Sequence, residues 1–222
     1  MHEELEKNYN LVKHRIKEAG GGVELIAVSK KHPIEAIEFI SSLGQEKFGE
    51  NYPSELFEKV QKTKNPNIKW VFIGTLQSNK IQRLVECCDE IQTVSSLKHL
   101  RYVDRYAKEL GKKGFPVYLQ ININEEPQKS GFLASELQSC IDEIKTFENI
   151  EIKGLMAIPS SEDSHSSNKG HLPASYSKLS ELNNSFGYKH LSLGMSADLE
   201  AAVKAGSTCV RIGTDIFGKR AY

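Results

Sequence analysis

"VELIAVSKKHPIEAIEFISSLG", residues 23–44, sets an apolar strand-like run (23–29) ahead of an amphipathic helical run that closes on Gly44. The same unit recurs outward from it. Strand-like runs stand at 46–51 (EKFGEN), 69–74 (KWVFIG), 90–95 (EIQTVS), 116–123 (PVYLQINI), 151–158 (EIKGLMAI), 190–196 (HLSLGMS) and 208–217 (TCVRIGTDIF). Helical patterns such as PSELFEKVQK, LKHLRYVDRYAKELG and SADLEAAVKAG lie between them, and several close on glycine, as at Gly111 and Gly206. Before the first strand, Leu5, Tyr9, Val12 and Ile16 recur at helical spacing and stop at Gly20-Gly21-Gly22.

This alternation predicts parallel strands joined by crossover helices. Most of the strand runs are apolar on both faces, as strands covered on both sides require. About eight strands with seven intervening helices fit an α/β fold of the (β/α)8 TIM-barrel kind, with a leading N-terminal helix. A doubly wound open sheet is the alternative. The 222 residues, 39% of them hydrophobic, suffice for one core, so 1–222 is expected to be a single domain. The Ser-rich stretch 159–173 follows the sixth strand and is expected to be a long β–α loop or a mobile surface loop. Its histidines, His165 and His171, sit in surroundings too polar and flexible for a metal site.

The 29 basic and 29 acidic residues balance, so no nucleic-acid or membrane partner is expected. The charged N-terminus lacks the apolar core of a signal peptide. No stretch approaches the ~18 apolar residues that a membrane span needs. Four cysteines without C-x-x-C spacing suit reduced thiols in a soluble, cytoplasmic protein.

In a barrel, functional groups gather at the carboxyl ends of the strands. Lys30 and Lys31 end the first strand, and partial desolvation there leaves a fraction of an amine uncharged, as Schiff-base formation requires. Alternation puts the two lysines on opposite faces, but both faces of this strand are apolar, so alternation alone does not choose between them. Ser196 stands at the expected start of a helix, where it can cap the first amides or donate to an anion. Gly213 and Thr214 follow the last strand, positioned to cradle a phosphate, although Gly213 can equally mark a bend. Arg211, inside an apolar strand, needs a specific acceptor: Asp198, Asp215 or a ligand atom. An amine and a phosphate cradle meeting across barrel closure describe pyridoxal 5′-phosphate, and a phosphorylated sugar also satisfies them.

Taken together, AVSKKHP, KFGENY, FIGTLQSNK, QININEEPQKSGF, GLMAIP, LSLGMSADLEAA and GSTCVRIGTDIFG resemble, in order, the pyridoxal phosphate homeostasis protein family of YggS/PROSC type. The resemblance runs from about residue 23 to 220 and implies the barrel of the alanine racemase N-terminal domain. It implies Lys30 as the Schiff-base lysine and Lys31 as a bystander. It also implies Asn51 near the cofactor, Ser196, Gly213 and Thr214 as phosphate contacts, and Arg211 facing the pyridine nitrogen. An arginine there keeps that nitrogen unprotonated and weakens the ring as an electron sink. The sequence departs from the family at Val71, where a histidine is frequent, and after MAIP, where the Ser-rich stretch replaces an acidic and aromatic pattern.

Two function classes then compete. A racemase-like enzyme needs two bases, and the second base of alanine racemases comes from an extra β-domain for which a chain ending at Tyr222 leaves no room. The other class is a non-catalytic carrier that holds pyridoxal 5′-phosphate for its homeostasis and delivery, with apo-enzymes that use the cofactor as partners. A monomer suits that reading. A Schiff-base aldolase is a third class, for which Glu50 is the one candidate carboxylate.

Overall fold

The computed structural model of the chain describes residues 2–167 and 171–218. In chain order the elements are α1 His2–Glu18, β1 Glu24–Val28, α2 Ile34–Ser42, β2 Lys47–Glu50, α3 Pro53–Lys62 and β3 Lys69–Phe72. A 3₁₀ turn at Ser78–Lys80 leads into α4 Ile81–Cys87, β4 Glu90–Val94, α5 Leu97–Glu109, β5 Phe115–Ile121 and α6 Ala134–Ile144. Then come β6 Ile150–Ala157, α7 Ser161–Ser167, α8 Ala174–Ser185, β7 His190–Ser192, α9 Leu199–Lys204, β8 Cys209–Ile212 and α10 Thr214–Phe217. The strands close into a barrel in sequence order, β1 pairing in parallel with both β2 and β8. The open-sheet alternative is thereby excluded.

The leading helix forms because Leu5, Tyr9, Val12 and Ile16 line one buried face of α1. It ends where Gly21 and Gly22 take φ of 67° and 68°, a left-handed backbone that costs other residues roughly 1–2 kcal/mol each.

Strand alternation divides β1 between two cores. Ile26 and Val28 point inward and join Val71, Ile73 and Cys209 in a small cluster inside the barrel. Ala27 belongs to the larger core between sheet and helices, with Phe48, Phe72, Ile91, Leu155 and Ile212. Val71 is thus an apolar filler of the barrel interior.

The rest of the interior is polar. The Arg211 guanidinium donates to Ser192 Oγ at 2.6 Å, and Ser192 Oγ donates to Gln92 Oε1 at 2.6 Å. Gln92 Nε2 donates in turn to Glu90 Oε1 at 2.6 Å. Glu90 Oε2 accepts from Lys47 Nζ at 2.7 Å, and the same ammonium reaches Glu24 at 2.9 Å. Every donor in this chain points toward the buried Glu90 carboxylate, which is the direct counter-charge of Lys47. Burial lowers the pKa of Arg211 from its ordinary value.

Three sequence expectations change. The last strand ends at Ile212, because its pairing with β1 stops at Ala27↔Ile212 and Gly213 turns the chain into α10. The run 190–196 is strand only to Ser192, since Gly194 at φ 102° bends it away. Within 159–173, Ser161–Ser167 is helical, started by Ser160 Oγ accepting from the Asp163 amide at 3.1 Å. Among the described residues no helix is long and apolar enough to cross a membrane. The four cysteines form no disulfide.

Candidate functional site

The carboxyl ends of the strands surround a cavity of about 380 Å³. Lys30, Asn51, Ser196, Arg211, Gly213 and Thr214 all line it, together with apolar Val28, Ile73, Met156 and Ile158. Elements far apart in sequence therefore deliver each of the six expected residues to one place.

Lys30 reaches the mouth because it keeps the parity of Ile26 and Val28, whose side chains fill the barrel interior. Lys31 follows in a left-handed backbone, φ 64°, and lines a separate outer groove instead. Such a conformation in a residue with a side chain needs outside support. Its amide donates to Glu55 Oε1 at 2.5 Å.

That contact belongs to a buried ionic network under the β1–α2 turn. The Lys59 ammonium donates to Glu50 Oε1 (2.6 Å), Glu55 Oε1 (2.7 Å) and the Ser29 carbonyl (2.8 Å). Ser29 Oγ donates to the same Glu50 oxygen at 2.6 Å. The residues flanking Lys30 are thus gripped at three atoms: Ser29 Oγ, Ser29 O and Lys31 N. Burial pushes the Glu50 carboxyl above its usual range, against the opposing pull of Lys59. Glu50 faces α3 and does not line the cavity, so it is removed as a candidate catalytic carboxylate for aldolase chemistry. Sequence reasoning missed Lys59, whose i,i+4 spacing to Glu55 reads as an exposed helix pair.

Asn51 is placed by an unusually close approach of two strand ends. A Cβ on Gly74 would lie 1.8 Å from the Asn51 carbonyl oxygen, so no other residue fits there. The Asn51 amide donates weakly to Ile73 O at 3.4 Å, while its Oδ1 is buried with no hydrogen-bond partner in the protein. A buried amide oxygen left unsatisfied costs roughly 1–3 kcal/mol, which a ligand donor at this wall would relieve.

On the opposite wall the expectations are partly corrected. Ser196 is not the start of the helix; the N-cap of α9 is Asp198. Asp198 accepts from the Met195 amide at 2.6 Å and from the Tyr176 hydroxyl, which shapes the turn that carries Ser196 into the mouth. Nor do Asp198 or Asp215 receive Arg211. Its guanidinium donates to Ser192 Oγ and to the Ala157 carbonyl at 2.8 Å, which leaves other N–H donors of its five for the cavity. Gly213 lies against β1, where a Cβ would stand 3.1 Å from Val28 O. Thr214 and Asp215, as first residues of α10, have backbone N–H groups without intrahelical acceptors.

The donor set suits one kind of ligand. It offers an amine, a guanidinium, two hydroxyls and free helix-end amides around apolar walls, with an unsatisfied amide oxygen opposite. A flat, partly apolar ring with an aldehyde and an anionic group would use all of them.

The family model for the alanine racemase N-terminal domain matches residues 2–221. The pyridoxal phosphate homeostasis protein of Haemophilus influenzae is 36% identical over 98% of this chain and 97% of its own length. Its Escherichia coli K12 counterpart is 39% identical over 90% of this chain and 87% of its own. The structure of PipY from Synechococcus elongatus, solved with PLP bound, superposes with a TM-score of 0.81 at 30% identity, over 93% of this chain and all of that one. With the barrel and these relatives in agreement, the chain belongs to the alanine racemase N-terminal domain family and, within it, to the pyridoxal phosphate homeostasis proteins.

Proposed function

We propose that this protein binds pyridoxal 5′-phosphate in the barrel mouth, held as a Schiff base to Lys30, and serves in its homeostasis and delivery without turnover of its own. The observation that carries this reading is the single cavity that joins Lys30 from β1 to Ser196, Arg211, Gly213 and Thr214 from the opposite wall. Bound there, the cofactor supplies a reactive aldehyde and an electron-withdrawing ring. Ser196, Gly213 and Thr214 hold the phosphate, and Asn51 accepts from the ring side. Arg211 donates to the pyridine nitrogen without releasing its proton, which leaves the ring a poor electron sink.

The carrier role is supported by the titratable groups at the mouth. Besides Lys30 and Arg211, His32 is the further one among the described lining residues, and it lies on the same β1–α2 turn as Lys30. Racemisation needs bases on opposite faces of the substrate carbon, an arrangement that two groups of one turn serve poorly. Enzymes that require the cofactor are the partners this role implies.

The test is an absorbance spectrum of the protein incubated with pyridoxal 5′-phosphate, which is expected to show a yellow, lysine-bound species. Protein that, freed of unbound cofactor, shows no imine band red-shifted from the free aldehyde would contradict the proposal. Racemisation or transamination of alanine or serine above the rate of free cofactor would overturn the carrier role. Ser196→Ala and Thr214→Val are each expected to weaken retention about tenfold, about 1.4 kcal/mol for one lost contact to an anion, while the colour persists at saturation. Unchanged affinity in both variants would remove the phosphate assignment.

A further inference from the structure

The loops after β7 and β8 are tied together by a residue from neither. Arg15, in the last turn of α1, donates from Nε to Glu200 Oε1 at 2.8 Å and from Nη2 to Glu200 Oε2 at 3.1 Å. Its Nη1 donates to Asp215 Oδ2 at 2.5 Å, and Nη2 also reaches the Ser196 carbonyl at 3.1 Å. Ser196 and Glu200 follow β7, whereas Asp215 follows β8 and adjoins Thr214. One planar guanidinium therefore serves four acceptor atoms on both loops at once, in a rigid fork that the three donors of a lysine ammonium do not reproduce. The same helix reaches α10 a second time through Asn8 Nδ2, which donates to Ile216 O at 3.3 Å.

From this geometry we infer that Arg15 is a positioning residue that sets the spacing and charge of the phosphate-facing loops, and thereby the preference for a phosphorylated over an unphosphorylated ligand. The inference rests on the phosphate assignment made above. Two physical effects act together. The clamp holds Ser196 and Thr214 at one separation, and hydroxyl donors on independent loops are worth little to an anion unless that separation is held. It also offsets two carboxylates, Glu200 and Asp215, that would otherwise repel an anion arriving beside them. The hydrogen bond from Arg15 holds the Glu200 carboxyl below its ordinary range, consistent with a paired, charged group. An exposed ion pair would carry little weight, but this one is bidentate, about a quarter exposed on the arginine side, and joined to a main-chain carbonyl.

The experiment measures affinities for pyridoxal 5′-phosphate and for pyridoxal by absorbance titration, and compares their ratio among variants. In Arg15→Gln the ratio is expected to fall at least tenfold. In Arg15→Lys it falls less, because the ammonium still offsets charge but lacks the rigid fork that holds all four acceptors at one spacing. A ratio in Arg15→Lys within twofold of wild type, or a parallel loss of both affinities in Arg15→Gln, would overturn the inference. If Arg15→Gln does not fold, as judged by circular dichroism, Arg15→Lys decides alone. Wild-type protein that binds both ligands equally would instead remove the phosphate assignment, and this inference with it. A purely structural staple for α1 would weaken both ligands alike and leave the ratio unmoved.

Discussion

Lys30→Ala is expected to abolish the imine absorbance, red-shifted from that of the free aldehyde, that wild-type protein acquires with pyridoxal 5′-phosphate, at any cofactor concentration, while Lys31→Ala retains it. The two residues are adjacent, and their separation in role follows from geometry. Lys30 lines the mouth cavity on the parity of Ile26 and Val28, whereas Lys31 turns outward through a left-handed backbone held by Glu55. Removing an amine removes the bond and not merely a contact, so the effect is all-or-none and should survive excess cofactor. The proposed phosphate contacts are unchanged in Lys30→Ala, so cofactor with the spectrum of the free aldehyde is still expected to bind, detectable by equilibrium dialysis. A retained imine band in Lys30→Ala, or its loss in Lys31→Ala, would reverse the assignment.

The second large effect concerns stability. Glu90→Ala is expected to destabilise the fold by about 3–5 kcal/mol, the cost of breaking a buried charge pair from one side. In a chain of this size that lowers the thermal midpoint by roughly 6–20 °C. Glu90 is the terminus on which the Lys47 ammonium and the Arg211–Ser192–Gln92 chain converge. Its loss leaves Lys47 paired with Glu24 alone and Gln92 Nε2 with only the Cys209 sulfur, at 3.7 Å. The double variant Lys47→Met/Glu90→Leu is expected to be more stable than Glu90→Ala, because removing both charges leaves neither stranded. Chemical unfolding measures both. A loss below 1 kcal/mol in Glu90→Ala would show that the chain is dispensable.

The β/α repeat was readable because each strand run and each helix run carries its own period, from 23–29 onward. Parity was not readable in β1, since Ala27 and Ile26 are equally apolar and only barrel closure against β8 decides which one faces inward. The six mouth residues were legible from motif and strand-end position together. The partners of Arg211 were not. Asp198 and Asp215 are its near neighbours in sequence, but parallel pairing sets it beside Ser192, and its second acceptor, Ala157, comes from β6. The same holds for Lys59 and Arg15, surface-like charges on helical patterns that also reach acceptors on other elements. Boundaries failed where a single glycine ended a strand, at Gly194 and Gly213. The local pattern there continues to look extended, while sheet pairing has stopped.

The tie between Arg15 and Asp215 joins positions 200 apart, and β1 closes against β8 across nearly the same span. During synthesis Lys30 is made well before its opposite wall, which waits for β8 and α10 to be translated. Contacts this distant in sequence form late. The nascent chain therefore carries its lysine as one amine among many, without a pocket to concentrate an aldehyde around it. On the proposed reading, competence to bind therefore waits for β8 to lock against β1.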